Sequence, residues 1–151
     1  AEGSGFAIEV HIDNFSPTIL FDARDKYGKG ITLILHQDGT IEGIVNDGRS
    51  ESRIRSTEKV WPGGHALWNC DGGSKVMAFI VNGCFDDGGS GRPYGWSRMG
   101  YYTGDINGAK AATIGGKTNR VRFYNRFLLT GEAIGNFRAY KNSKKVGGER
   151  C

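Results

Sequence analysis

Apolar side chains recur at every second position over short stretches of this chain, and glycine-rich turns separate the stretches. Residues 6–12, Phe-Ala-Ile-Glu-Val-His-Ile, place Phe6, Ile8, Val10 and Ile12 on one face of a strand and Glu9 and His11 on the other. Residues 18–23 form a second strand after Ser16-Pro17. Residues 31–35 and 41–45 flank Asp38-Gly39, a hairpin signal. Asn46-Asp47-Gly48 turns the chain into residues 50–56, whose alternation of polar and long side chains fits an edge strand. Beyond Trp61-Pro62-Gly63-Gly64, residues 65–70 and 75–83 flank the turn Asp71-Gly72-Gly73-Ser74, with the loop of residues 85–98 following. Residues 112–115 and 119–126 complete the strands. One helical piece, residues 130–138, has Thr130 as its cap and Glu132 near the positive end of its dipole.

Many short strands with tight turns and almost no helix predict an all-β, antiparallel fold, a sandwich or a barrel. No fixed repeat is visible, which argues against a propeller or solenoid. Composition agrees. The chain has 25 glycines in 151 residues, where average usage near 7% would give about ten. Only three prolines accompany them, so the glycines mark turns rather than disorder. No composition break divides the chain, and we expect one domain over residues 1–140 with a basic tail or linker at 141–151. No apolar run reaches the roughly 18 residues of a membrane span, so no membrane partner is expected. The chain begins at Ala1 with no signal-peptide pattern, as expected of a processed chain or of a domain cut from a longer one.

The net charge is +4, with Lys141, Lys144, Lys145 and Arg150 near the end. Arg49, Arg53 and Arg55 are interleaved with Glu51 and Glu58, so the body offers no basic face of the kind nucleic acid requires. Cys70, Cys84 and Cys151 make an odd count without a metal-ribbon spacing. Cys70 and Cys84 do not face each other across the Gly72-Gly73 hairpin, so buried thiols are expected ahead of a bridge that folding would have to bring together.

Chemistry concentrates between residues 85 and 98. Asp87, Arg92, Tyr94, Trp96 and Arg98 sit in a loop built on glycine and proline. Aromatic faces there can stack on a ring-shaped ligand, while Arg and Asp hydrogen-bond hydroxyls or carboxylates in fixed directions. That mixture suits a sugar better than a phosphate. Arg24 and Asp25 are secondary candidates, against the plainer reading of a salt-bridged turn. Trp68 shares a face with Ala66 and Cys70 and reads as core; His65 reads as structural, and His11 and His36 as partly exposed.

The order of these pieces resembles the laminin G-like branch of the concanavalin A-like lectin/glucanase superfamily, over roughly residues 6–139. The match rests on Leu20-Phe21-Asp22-Ala23, on Gly64-His65 entering a strand, on Asp71-Gly72-Gly73, and on Val121-Arg122-Phe123-Tyr124-Asn125-Arg126 followed by Thr130-Gly131-Glu132-Ala133. The resemblance implies a jelly-roll sandwich, extracellular localisation and often a bound calcium ion. Asp105 and Asn107, in Gly-Asp-Ile-Asn-Gly, are the residues that would help hold calcium, which takes roughly six to eight oxygens. The superfamily also contains hydrolases, but their run of three strand acids is missing here, and so is the lyase pattern. The expectation is therefore a non-catalytic carbohydrate-binding module that binds an oligosaccharide or polysaccharide, appended to a secreted polysaccharide-processing protein with a neighbouring catalytic domain. The alternatives are a protein-interaction or structural accessory domain and a diverged lyase or hydrolase.

Overall fold

A computed structural model describes residues 5–89, 97–98, 106–115 and 118–144. In chain order the elements are β1 (Phe6–Ile12), β2 (Thr18–Asp22), β3 (Gly30–Leu35), β4 (Ile41–Asn46), β5 (Glu51–Arg55), β6 (His65–Asp71), β7 (Val76–Val81), β8 (Cys84–Asp86), β9 (Ser97–Arg98), β10 (Thr113–Ile114), β11 (Thr118–Tyr124) and α1 (Thr130–Lys144). Among the described residues the strands form two antiparallel sheets. The first runs β11-β1-β6-β7-β8, with β9 also paired to β7, and the second runs β10-β2-β3-β4-β5. The chain adopts the expected all-β sandwich, and β5 is the edge strand that its alternation suggested.

The phase of each strand decides what it buries. Ile8 and Val10 of β1, with Trp68 of β6 and Phe79 of β7, face Leu33, Leu35, Ile41, Val45 and Ile54 of the second sheet. Trp68 is the largest side chain in this layer and is fully buried. Phe6 meets it edge-on at 5.2 Å. Its indole crosses to Gly43, which pairs with Leu33 and Ile54 in the second sheet. A Cβ on Gly43 would overlap the indole ring atoms, so the glycine is what lets the two layers close at this point.

The first sheet is covered on its outer face as well. There α1 lays Ala133 on Ala7, Leu67 and Ile80, with Leu128 beside it, and Phe137 and Tyr140 continue its buried stripe. Gly131, Gly135 and Asn136 make this a weak helix by propensity, so it depends on that packing. All seven residues of β1 are buried as a result. This corrects the expectation of a partly exposed His11. The alternation assigns Glu9 and His11 to the second face, and α1 rather than water covers that face.

Four local readings also change. The carbonyl of Leu129 accepts from the Ala133 N–H, and the Glu132 carboxylate accepts from the Leu129 N–H at 2.8 Å. Leu129 is therefore the N-cap, and Thr130 is the first helical residue rather than the cap. The helix runs on to Lys144, into the segment expected as a tail. Asn82-Gly83, with φ of 50° and 83°, is a two-residue hairpin turn joining Val81 to Cys84. It folds residues 84–86 back as β8, where the sequence reading had already begun a loop at Phe85. Cys70 is a free, buried thiol whose pKa burial pushes up. Cys84 is disulfide-bonded, which corrects its expectation as a second buried thiol; the turn places it on β8, at the edge of the sheet.

Gly43→Ala tests the closeness of the two sheets. Overpacking a tight core costs about 1–3 kcal/mol, and urea denaturation should show a loss at the upper end of that range because the indole is fully enclosed.

Candidate functional site

A groove of about 480 Å³ opens on the outer face of the first sheet, beside the start of α1. Asn69 of β6, Ala78 of β7 and Phe85 of β8 form its floor, and Phe127 and Leu129 its far wall. The strand register brings the floor residues together: Asn69 pairs with Ala78, and Phe85 with Ile80. Asp71 and Ser74 from the β6–β7 turn close one end.

The wall is held by one side chain. The Asn69 amide donates to the Leu128 carbonyl at 2.6 Å, and its oxygen accepts from the Leu128 N–H at 2.8 Å. Leu128 is thereby buried, while Phe127 and Leu129 on either side stay exposed at 38% and 63%. Phe85 is 43% exposed across from them. Solvent-facing phenyl rings beside a floor whose polar side chain, Asn69, is already bonded to Leu128 offer ring faces rather than charges. Asp71 is spent on its own turn, accepting from the Gly73 and Ser74 N–H groups and the Ser74 hydroxyl. The Ser74 hydroxyl is the largest influence that lowers its pKa.

The loop singled out by the sequence springs from the margin of this groove. It leaves after Asp86 at the end of β8 and returns at Ser97 in β9, and both strands pair with β7. Val76, which lines the groove, is the register partner of Arg98. Asp86 anchors the departure. Its Oδ2 accepts from the N–H groups of Thr57 and Glu58, each at 2.7 Å, and its Oδ1 accepts from the Gly88 N–H. Asp87, the predicted ligand residue, accepts from the Gly89 N–H at 3.4 Å. Arg92, Tyr94, Trp96 and Asp105 lie outside the described residues, as does the side chain of Arg98.

Arg24 and Asp25 stand elsewhere, on the turn after β2 in the second sheet. Arg24 grips Asp22 with two bonds of 2.9 and 2.8 Å. Asp25 accepts from the Tyr27 and Lys29 N–H groups. Both are engaged as a salt-bridged turn would engage them, and the structure does not bring them to the groove. Asn107 lies against that turn, since the neighbouring Ala109 N–H donates to the Ala23 carbonyl at 3.1 Å. Arg53 and Arg55 pair with Glu51 and Asp38.

A second polar cluster escaped the sequence reading. Glu9, His11 and His65 lie together under the C-terminal half of α1, all buried. Burial by itself would raise the Glu9 pKa, but the imidazoles of His11 and His65 outweigh it and hold the carboxyl well below its ordinary range. Burial pushes His65 down, against the pull of Glu9. The signal in the sequence was two polar residues sharing one face of β1; what they would meet was not legible.

No family model and no curated protein matches this chain. Solved structures do. The Ruminococcus gnavus IT-sialidase CBM40 is similar with a TM-score of 0.62 at 14% identity, over 91% of this chain and 84% of that one. The same protein bound to α2,6 sialyllactose gives 0.60 at 14%, over 89% and 83%. The binding domain of botulinum neurotoxin DC, in complex with rat synaptotagmin II, gives 0.60 at 14%, over 91% of this chain but only 36% of that one. At such identities the likeness concerns the fold alone, a jelly-roll β-sandwich.

Two measurements probe the groove wall. Asn69→Ala leaves the Leu128 N–H and carbonyl without partners, and urea unfolding should show a loss of about 1–3 kcal/mol. Glu132, held down to about 2 by its bonds to Arg126 and the Leu129 N–H, has a folded pKa below its ordinary 4.5. The support it gives the wall is thus complete above that ordinary value and is lost as pH falls through about 2. The Leu129 amide resonance should titrate with that low midpoint, and Arg126→Ala should move the midpoint upward.

Proposed function

We propose that this chain is a non-catalytic carbohydrate-binding module whose ligand lies in the groove between Phe85 and Phe127, with the loop of residues 87–96 completing the site. The observation that carries the reading is the pair of exposed phenyl rings flanking a groove whose floor makes few polar demands of its own. Sugar rings present apolar faces edged with hydroxyls, and such faces seat on aromatic side chains, while polar groups at the margin fix orientation. The CBM40 structures with sialyllactose support the class on a similar fold. Arg92 and Arg98 of that loop would favour an acidic oligosaccharide.

The described carboxylates support a binding rather than a catalytic role. Glu42 is taken up by His36 and Arg53, Asp86 by backbone N–H groups, and Glu9 is enclosed. The disulfide at Cys84 supports an oxidising, extracellular compartment, where a module of this kind keeps a larger polysaccharide-processing protein on its substrate. A calcium ion held by Asp105 and Asn107 belongs to the same reading. A protein partner is the second reading, favoured by Leu129, an aliphatic side chain 63% exposed beside two aromatic rings.

The test is titration of the isotope-labelled chain with α2,3- and α2,6-sialyllactose and with lactose, each with calcium and then with EDTA. Binding should shift the amides of Ala78, Phe85, Phe127 and Leu129. Phe85→Ala and Phe127→Ala should each weaken it at least about tenfold, or ~1.4 kcal/mol, with the fold intact by circular dichroism. Calcium dependence would support the ion. Absence of shifts with these sugars and across an array of neutral and acidic polysaccharides would overturn the carbohydrate reading and leave the protein-partner one.

A further inference from the structure

At the opposite end of β6 from the groove, the buried Glu9–His11–His65 cluster has the makings of a site of a different kind. His11 and His65 stand directly opposite each other in the β1–β6 register, with ring centroids 5.0 Å apart. Glu9 shares their face of the sheet and reaches both. Its Oε2 lies 3.2 Å from His65 Nε2, and its Oε1 lies 3.5 Å from His11 Nε2. One donor atom from each residue lies within 4.8 Å of the others.

Two observations distinguish this cluster from a packed polar pair. Glu9 Oε1 and His11 Nε2 are both buried and make no hydrogen bond; at 3.5 Å they face each other without joining. Buried polar atoms are normally satisfied, and a bound ion is one of the recognised reasons for an exception. The spacing also fits. A tetrahedral ion with bonds of about 2.0–2.2 Å holds neighbouring donors roughly 3.3–3.6 Å apart, close to the two separations between Glu9 oxygens and the imidazoles, and all three donors lie within 4.8 Å.

We propose that Glu9, His11 and His65 bind one divalent ion of the zinc class beneath Tyr140 of α1. Two imidazole nitrogens and one carboxylate suit zinc, whereas calcium takes oxygen ligands. The ion would occupy the space the orphaned atoms face, and it would tie β1 to β6 under the helix. Tyr140 packs its ring 4.5 Å from that of His11 and donates its hydroxyl to the Gly63 carbonyl, so it roofs the site rather than ligating. A water would complete the four-coordinate shell. Arg122, 3.5 Å from Glu9 Oε1, has a half-exposed side chain that can withdraw into solvent as the ion enters. The site does not depend on the carbohydrate reading.

The test adds Zn²⁺ to chelator-stripped protein while following the imidazole nitrogens by NMR and the Tm by calorimetry. A single equivalent should shift the ring nitrogens of His11 and His65, leave His36 unmoved, and raise the Tm as zinc increases. His11→Gln should weaken zinc binding by at least about 100-fold, the most that losing an outer-sphere partner costs. His36→Gln, at a residue paired with Glu42 away from the cluster, should change nothing. If His11→Gln does not fold, the imidazole shifts of the unaltered chain still decide. Shifts confined to His36, no shifts from folded protein, or undiminished affinity in His11→Gln would overturn the proposal.

Discussion

With α1 laid across the outer face of β1 and β6, neither face of the first sheet's centre reaches water. An antiparallel sheet ordinarily keeps one wet face, and its strands carry polar residues there. Here β1 carries them, but the helix covers them. Glu9, His11 and His65 must therefore satisfy one another inside the protein, where an unpaired polar group is costly. Their incomplete pairing is what makes the cluster chemically interesting. The same helix begins where Asn69 grips Leu128, so its docking also raises the wall of the groove. Two candidate sites thus depend on one packing event, one at each end of β6.

The edge of this sheet is organised by different means. A two-residue turn at Asn82-Gly83 returns the chain as β8, and Asp86 then fastens it to Thr57 and Glu58, on the segment leading out of the second sheet. Both ends of the 87–96 segment are consequently tied to β7. The backbone next to a loop rich in Arg, Tyr and Trp is thereby fixed at the margin of an aromatic-walled groove.

Particular residues show how far the sequence could be read. The strand phases, the Asp38-Gly39 turn, the edge character of β5 and the placing of Trp68 in the core were all legible, since each follows from alternation or from the backbone preferences of neighbouring residues. The Asn82-Gly83 turn was equally visible in principle and was passed over. The candidate site was legible only in part. Its loop stood out by composition, whereas Phe85, Phe127 and Leu129 read as ordinary apolar residues. What makes them a site is their exposure, and exposure is set by Asn69 holding a segment 59 residues away. Arg24 and Asp25 lie on the other sheet, bonded within their own turn.

The sequence by itself determined which stretches are strands, where they turn, and which face of each is apolar. These properties are local: successive side chains on a strand point to opposite sides, and glycine alone takes certain turns without strain. Only the tertiary structure decided that the polar face of β1 would be buried, that Glu9 would meet a histidine 56 residues away, and that a groove would open beside α1. Those outcomes depend on which surface covers which, and that is settled by the area distant elements can bury together rather than by any pattern within one segment.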